Sequence, residues 1–399
     1  MIPSSPLHLF LHYLPPTQNW ACQLIRHLPD TENHIAARYY LKTNFYHPDL
    51  HFFDNYQDGV TRYDHSLLWS DWKAWLPKAW IKALRLWMGN EIYWLLKYIE
   101  ENKIEILHAH FAPAAVFYKK LKTKTGLPFV VSFYGYDYEK ALHDHPEFRK
   151  QYQALFRLAD AFICEGPHGA GVLREMGCPK EKVHVVPLGV EVEQIPFYKR
   201  EKRAGELKLV QVASFTEKKG HIYTVKAFAA ALKDCPNMSL TLVGDERRPG
   251  VKQQVLDYIK KEKLGQKVTV LDWVDYDHLH EFLEPFHVFI HPSCYASDRD
   301  CEGGAPVILL EAQATGMPVI STTHCDIPNI VKDDETGILC PEKEVERLAE
   351  AIAYFYGLPG EEYQEWGIRA RRWVEERFEM AAQGRRLSKV YSTLCKMGR

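Results

Sequence analysis

Long apolar runs are missing from this chain of 399 residues, and nothing approaches the ~20 consecutive apolar residues that a membrane-spanning helix needs. An excess of one charge is missing too. Fifty Lys and Arg against 52 Asp and Glu leave a formal net charge of -2, which argues against nucleic acid as the main partner. The nine cysteines (Cys22, Cys164, Cys178, Cys235, Cys294, Cys301, Cys325, Cys340 and Cys395) include no CxxC pair. An odd, scattered set reads as reduced thiols of a cytosolic protein. The first residues, Met1-Ile-Pro-Ser-Ser-Pro6, have no basic segment followed by an apolar one, so no secretory signal is expected. No GxGxxG follows a strand pattern. Gly166-Pro-His-Gly169-Ala-Gly171 has its glycines in the wrong order, which disfavours a nicotinamide dehydrogenase.

What is present is an ordinary globular composition, 46% hydrophobic and 26% charged, in a chain long enough for two domains. Short β-rich runs alternate with helical patterns in two series. The first comprises residues 7–13, 104–110, 129–133, 161–164 and 183–186. The second comprises 207–213, 239–244, 268–271, 288–291, 319–321 and 337–339. Such alternation predicts an α/β fold with parallel, doubly wound sheets and helices on both faces. Residues 191–205, with Pro196, the charge run Lys199-Arg-Glu-Lys-Arg203 and Gly205, read as a solvated linker. The domains expected are 1–190 and 206–379, with a C-terminal helix of about 380–399 crossing back to the first. Two such domains would face a central cleft lined by strand C-terminal ends, where ligands of these sheets bind.

The segment Glu302-Gly-Gly-Ala-Pro306-Val-Ile-Leu-Leu-Glu311-Ala-Gln-Ala-Thr-Gly316-Met-Pro318 is the densest in chemistry. Pro306 suits the first helical position, Gly316 the position just past the helix, and Pro318 stops continuation. The intervening helix is apolar all round, hence buried. Glu311 inside it needs a partner, because a lone buried carboxylate is costly. A structural Arg, Lys or backbone group would serve, and so would a ligand with two hydroxyls such as a ribose. Gly303 and Gly304 permit close backbone approach, and the helix start offers amides and a positive dipole end to an anion.

These residues, followed by Val319-Ile320, Ile327-Pro328, Val331 and Thr336-Gly-Ile-Leu339, resemble glycosyltransferase family 4, the retaining group 1 glycosyltransferases of the GT-B fold. Val212-Ala-Ser-Phe-Thr-Glu-Lys-Lys219-Gly220-His221 resembles their phosphate-binding loop. Leu242-Val-Gly244, His291-Pro-Ser293 and Pro187-Leu-Gly189-Val190 also match, and the likeness is weak over residues 1–103. The resemblance implies two Rossmann-like domains, the first binding the acceptor and the second a nucleotide-sugar. It implies that Glu311 accepts hydrogen bonds from ribose hydroxyls and that Glu302 contacts the transferred sugar. Backbone around Gly303, Gly304, Ala305, Pro306 and Val307 would hold sugar and phosphate. Lys219, with Lys218, would neutralise the diphosphate, and Trp273-Val274 would lie by the base. The resemblance implies neither cofactor nor metal, since cations, amides and a helix end stabilise the departing phosphate.

Departures from the family are specific. One extra residue separates Glu302 from Glu311. Ser214 stands where an Arg is common, so either Lys218, Lys219 or a residue such as Arg299 makes up the charge or stabilisation of the leaving group is weaker. Tyr134 stands where many members carry a His beside the donor sugar, and either Tyr134 or Asp137 would shape the acceptor side. The glycine-rich loop after the first strand is replaced by Tyr13-Leu-Pro-Pro-Thr17-Gln-Asn-Trp20, which leaves Thr17 and the strand-end His110 as acceptor-side candidates. A buried, hydrogen-bonded core histidine is the alternative for His110.

Two further groupings could bind metal. Asp298-Arg-Asp300 is a DxD triplet, common by chance. His291, Cys294, Cys301, His324 and Cys325 are dense, but they match no compact zinc pattern and read as structural. Residues 69–98 hold six of the ten tryptophans (Trp69, Trp72, Trp75, Trp80, Trp87, Trp94), with Lys78, Lys82 and Arg85 opposite. That composition suits peripheral contact with the cytoplasmic face of the inner membrane, a sugar-acceptor groove or plain core. The expected activity is metal-independent, retaining transfer of a hexose from a UDP- or GDP-sugar to a glycan or lipid-linked glycan of the cell envelope. A sugar-nucleotide epimerase of the same architecture and a non-catalytic binding module are the rivals. Oligomeric state is not legible.

Overall fold

The computed structural model describes residues 5–13, 18–40, 47–53 and 91–397. Two compact units emerge. One comprises residues 1–164, 170–186 and 381–399, the other residues 165–169 and 187–380. Each is built on one parallel sheet.

In the first unit the strands are β1 (Pro6–Tyr13), β2 (His34–Tyr40), β3 (His51–Phe52), β4 (Ile106–His110), β5 (Phe129–Phe133), β6 (Ala161–Cys164) and β7 (Val183–Val185), in spatial order β3-β2-β1-β4-β5-β6-β7. Every residue of β4, β5 and β6 is buried. That is why β6 reads as an unbroken apolar run and β4 and β5 as apolar runs broken only by His108, His110 and Ser132, as expected when helices cover both faces. Phe129, Val131, Phe133 and Phe162 form the centre of this core. In the second unit the strands are β8 (Leu207–Val212), β9 (Met238–Val243), β10 (Val268–Leu271), β11 (Val288–Ile290), β12 (Val319–Thr322) and β13 (Gly337–Cys340), in order β10-β9-β8-β11-β12-β13.

In both sheets the strand order reverses about the first strand. The reversal falls between β1 and β4 in one sheet and between β8 and β11 in the other. The crossovers leave on opposite faces there, which opens a crevice beyond the strand C-termini, the ligand site of doubly wound sheets.

The structure adds or changes three points. β2 and β3 were not anticipated: His34-Ile-Ala-Ala-Arg-Tyr-Tyr40 lacks the β-branched density of its neighbours, and β3 has only two residues. The segment 191–205 is not a solvated linker throughout. Arg200 and Lys202 are 6% and 5% exposed. The Arg200 guanidinium donates to the Thr315 carbonyl (2.6 Å), Thr315 Oγ1 (2.9 Å) and the Leu283 carbonyl (3.2 Å). Lys202 Nζ donates to the carbonyls of Leu358 (2.8 Å), Tyr356 (3.2 Å) and Arg203 (3.2 Å). These cations satisfy carbonyls at the ends of helices, so an alternating half of the charge run faces inward. Finally, the helix Met380–Met397 packs in the first unit. Tyr391 is buried with its hydroxyl 2.5 Å from His108 Nδ1. A Cβ on Gly384 would come within 2.0 Å of the His27 carbonyl oxygen, so glycine is what permits this approach.

Candidate functional site

At the switch point of the second sheet the chain leaves β8 and makes a short 3-10 turn, Glu217–Lys219, closed by Gly220. Gly220 has φ +69°, and a Cβ there would lie 2.0 Å from the Pro292 carbonyl oxygen. No other residue type fits this backbone or this approach. The turn is thereby pressed onto the segment that follows β11. Gln211, at the end of β8, holds it from below: its Nε2 donates to the Lys219 carbonyl (2.7 Å), and its Oε1 accepts from Thr224 Oγ1 (2.7 Å).

This packing delivers Lys219 Nζ to Glu302 Oε2 at 2.7 Å. Glu302 Oε1 accepts from Ser293 Oγ (2.8 Å) and faces His291 Nε2 (3.4 Å). Burial alone would raise the Glu302 carboxyl. Lys219, the His291 hydrogen bond and Lys218 outweigh it and hold Glu302 well below the usual carboxylate range. Lys218 Nζ binds Asp300 Oδ1 (3.1 Å) and the Cys301 carbonyl (2.8 Å). Burial lowers its pKa, but Glu302 and Asp300 raise it by more, so it is a firm cation.

Beyond Glu302 the chain turns through Gly303, at φ +79°. It then passes Gly304, where a Cβ would sit 1.5 Å from a Glu165 carboxylate oxygen. The helix Val307–Ala314 begins after Pro306. Pro306 stands at the cap, not at the first helical position, because its ψ of 122° is extended. It has no side-chain group to cap the helix, so the positive dipole end faces the loop uncapped. Gly316, at φ +78°, terminates the helix as expected.

Glu311 is 4% exposed. Its partner is neither a cation nor the backbone: Tyr276 donates its hydroxyl to Oε1 at 2.7 Å. Oε2 has no hydrogen-bond partner among the described residues. Burial pushes the carboxyl up to about 7, against the pull of the tyrosine hydrogen bond. Tyr276 lies just beyond Trp273, which is 52% exposed and donates Nε1 to Asp275 Oδ1 (3.1 Å). Val274 packs on the apolar cluster around Leu310. Ser214 donates Oγ to Asp245 Oδ1 (2.6 Å), and Arg247 pairs with the other oxygen of that carboxylate. Ser214 therefore anchors a carboxylate and supplies no cation. Both carboxylates of the Asp298-Arg-Asp300 triplet are ion-paired, Asp298 to Arg248 and Asp300 to Arg248 and Lys218.

The first unit gathers the other expected residues at its own switch point. Asp137 is fully buried and accepts the amides of Ala112 (Oδ1, 2.8 Å) and Tyr134 (Oδ2, 2.7 Å). Burial raises it to about 7, outweighing those hydrogen bonds. It is a staple between a helix start and the β5 loop, with each oxygen taken by a backbone amide. His110 is also fully buried. It stacks on Phe10 at 4.4 Å and meets the Tyr134 hydroxyl through Nδ1 at 2.8 Å. His110 is thus a buried, hydrogen-bonded histidine whose ring faces Tyr134. Tyr134 itself is half-buried. Thr17, and residues 69–90 of the tryptophan-rich segment, lie outside the described residues. Of that segment's end, Trp94 is 38% exposed, while Tyr98 bonds His34 Nδ1 (2.8 Å) and packs on Phe53.

Tyr276, Ser293 and Asp245 were not foreseen in these roles. His291-Pro-Ser293 was visible as a motif, but nothing in its spacing tied the serine to Glu302. Tyr276 opens a short 3-10 turn after β10, where the sequence carries no distinguishing pattern.

A pair of parallel, doubly wound units in one chain, the second with a cation–carboxylate pair and an uncapped helix start at its switch point, defines the GT-B class. The family described as "Glycosyl transferases group 1" matches residues 194–373, and "Glycosyltransferase Family 4" matches residues 60–194. The putative colanic acid biosynthesis glycosyltransferase WcaL of Escherichia coli K12 is 31% identical over 300 residues, 73% of this chain and 71% of that protein. The amylovoran biosynthesis glycosyltransferase AmsK of Erwinia amylovora is 29% identical over 61% of this chain and 60% of its own. The crystal structure of Anabaena HepE with UDP-glucose superposes with a TM-score of 0.71 at 14% identity, covering 98% of this chain and 99% of that one. The chain belongs to the group 1 glycosyltransferases, family 4, and is a glycosyltransferase.

Proposed function

We propose that this glycosyltransferase moves a hexose from a nucleoside-diphosphate sugar to a hydroxyl of a growing cell-envelope polysaccharide, with retention and without a catalytic metal. One observation carries the reading: the Lys219–Glu302 pair and the uncapped start of the Val307–Ala314 helix stand one loop apart, and the buried Glu311 lies farther along that helix. Glu311, with an oxygen to spare beside Tyr276, suits a ribose diol. The base would lie along Trp273 and Val274. The diphosphate would meet the helix end, the Gly303-Gly304 backbone, Ala305 and Lys219. Glu302, ionised and held by Ser293 and Lys219, would receive a sugar hydroxyl.

In the transfer step the acceptor oxygen bonds to the anomeric carbon as the bond from that carbon to the phosphate oxygen breaks. The acceptor proton passes to the departing phosphate oxygen. Lys219 and the helix amides stabilise the charge that develops there, a contribution worth several kcal/mol for each well-placed donor. Attack and departure on one face preserve the anomeric configuration. Tyr134, oriented by His110 and Asp137, would serve the acceptor side. Polysaccharide synthesis as the setting is supported by the likeness to WcaL and AmsK, and a uridine nucleotide by the likeness to HepE in complex with UDP-glucose.

The test is release of UDP or GDP from a donor panel, in the presence of chelator, with envelope glycans as acceptors and the product linkage read by NMR. Chelator-resistant release with a retained anomer supports the reading. An inverted anomer, a requirement for added metal, or conversion of the donor to its epimer without acceptor would refute it.

A further inference from the structure

Behind Glu302 lies a second constellation that the transfer reaction does not use. Cys301, His324 and Cys325 each turn one ligand atom to a common point, and all three atoms lie within 4.8 Å of one another. Cys301 and His324 are buried, and Cys325 is half-buried. The edges of a tetrahedral Cys2His zinc site are roughly 3.5–3.8 Å, given Zn–S of about 2.3 Å and Zn–N of about 2.0 Å. The three donors are therefore almost at ligating separation. His324 Nε2 and Cys325 Sγ are already 3.2 Å apart.

The histidine is held as metal-binding histidines are. Its Nε2 accepts the backbone N–H of Glu302 at 3.1 Å, so the ring proton is on Nδ1, which donates to Glu342 Oε1 at 2.7 Å. The other Glu342 oxygen accepts the Tyr295 amide at 2.8 Å, so the carboxylate is itself fixed. A carboxylate behind a histidine fixes the tautomer and sharpens the exposed lone pair. The backbone provides an independent sign. Cys325 has φ +47°, a left-handed conformation that non-glycine residues rarely hold. That conformation brings its sulfur to the histidine.

We infer that Cys301, His324 and Cys325 form a binding site for a soft divalent cation of the zinc class, and that its occupation competes with the Glu302 backbone hydrogen bond. Two thiolates and an imidazole select such ions over magnesium or calcium. The fourth position is left to water or the Tyr295 hydroxyl, which lies 4.0 Å from Cys325 Sγ. Nε2 has a single lone pair, so it cannot hold the Glu302 amide and a metal together. Metal loading releases that amide and shifts the carboxylate that faces Lys219. The site is a brake on the donor site rather than a part of catalysis; this last consequence rests on the donor reading above.

The experiment is Co2+ titration of the full chain under reducing conditions, followed by visible and thiolate charge-transfer absorption. One equivalent of tetrahedral Co2+, displaced by Zn2+, is expected. Cys301→Ser and Cys325→Ser should abolish the bands, and Glu342→Gln should weaken Co2+ affinity about tenfold or more. Cys294→Ser should leave the bands unchanged. Absence of bands in the wild type, or their persistence in both cysteine variants, overturns the site. Should a cysteine variant fail to fold, the Glu342→Gln shift decides, and an unchanged affinity there also overturns it. UDP and GDP binding, measured with and without Zn2+, tests the coupling. Weaker binding in the wild type but not in Cys325→Ser is expected, and equal binding in a metal-loaded wild type refutes the brake while leaving the site standing.

Discussion

At the scale of single residues, the site depends on how two glutamates are kept. Glu302 is ionised because Lys219 sits 2.7 Å away. Removing the lysine alone leaves a buried charge without its partner. Lys219→Ala should therefore cost roughly 3–5 kcal/mol of stability. Lys219→Met combined with Glu302→Gln should regain most of that and remain inactive. Denaturant unfolding of the two variants checks this, and equal stabilities would show that the pair contributes little. Glu311 is kept the other way, protonated up to about pH 7 by burial. Ribose hydroxyls donate, so the bound form is the carboxylate. Nucleotide affinity should fall as pH drops below about 7, approaching tenfold per pH unit, and the pH dependence should vanish in Glu311→Gln. Titration calorimetry between pH 5.5 and 8 reads this. The sequence revealed Glu311 because a carboxylate in an apolar helix is conspicuous. It did not reveal Tyr276, whose hydroxyl reaches Glu311 from 35 positions away along the chain.

At the scale of elements, the turn Glu217–Lys219 is the piece on which the geometry depends. Gly220 and Gly250 both have positive φ, at +69° and +90°, but only Gly220 faces a neighbouring carbonyl. Both alanine variants carry a backbone penalty of about 1–2 kcal/mol. Gly220→Ala should in addition displace the turn and reduce nucleotide binding strongly, while Gly250→Ala should leave binding intact. Equal effects of the two on binding would contradict the role given to the turn. Elements were legible where they read as short β-rich runs. β5 and β6 match their expected bounds because buried parallel strands are short apolar runs, and β10 matches although only its Val268 is buried. β2, with two alanines and a leading histidine, carries no such run, and its pairing with β1 comes from tertiary contact. The charge run 199–203 misled because lysine and arginine can bury their stems and satisfy carbonyls at helix ends.

At the scale of the whole molecule, burial has left many histidines neutral. Burial lowers His8 and His221 to about 3 and His34 and His287 to about 4, and it holds His108 and His110 well below 6.5. The unfolded chain binds these protons near pH 6.5 and the folded protein does not, so stability falls as pH drops from 6.5 towards 4. Glu311 and Asp137, raised to about 7, act in the opposite sense, but they are fewer. The melting temperature should decline steadily below pH 6.5, and a flat profile to pH 4.5 would contradict the burial of these rings. No helix among the described residues is long and apolar enough to cross a membrane. The central claim is that the switch point of the second sheet takes a nucleoside-diphosphate sugar, with Glu311 on the ribose. Calorimetric titration of wild type and Glu311→Gln with UDP, GDP and their hexose conjugates tests it most directly. One base should bind the wild type, with or without its sugar, and lose at least tenfold in affinity in the variant. No binding by any of the four, or equal binding by both proteins, would contradict the account.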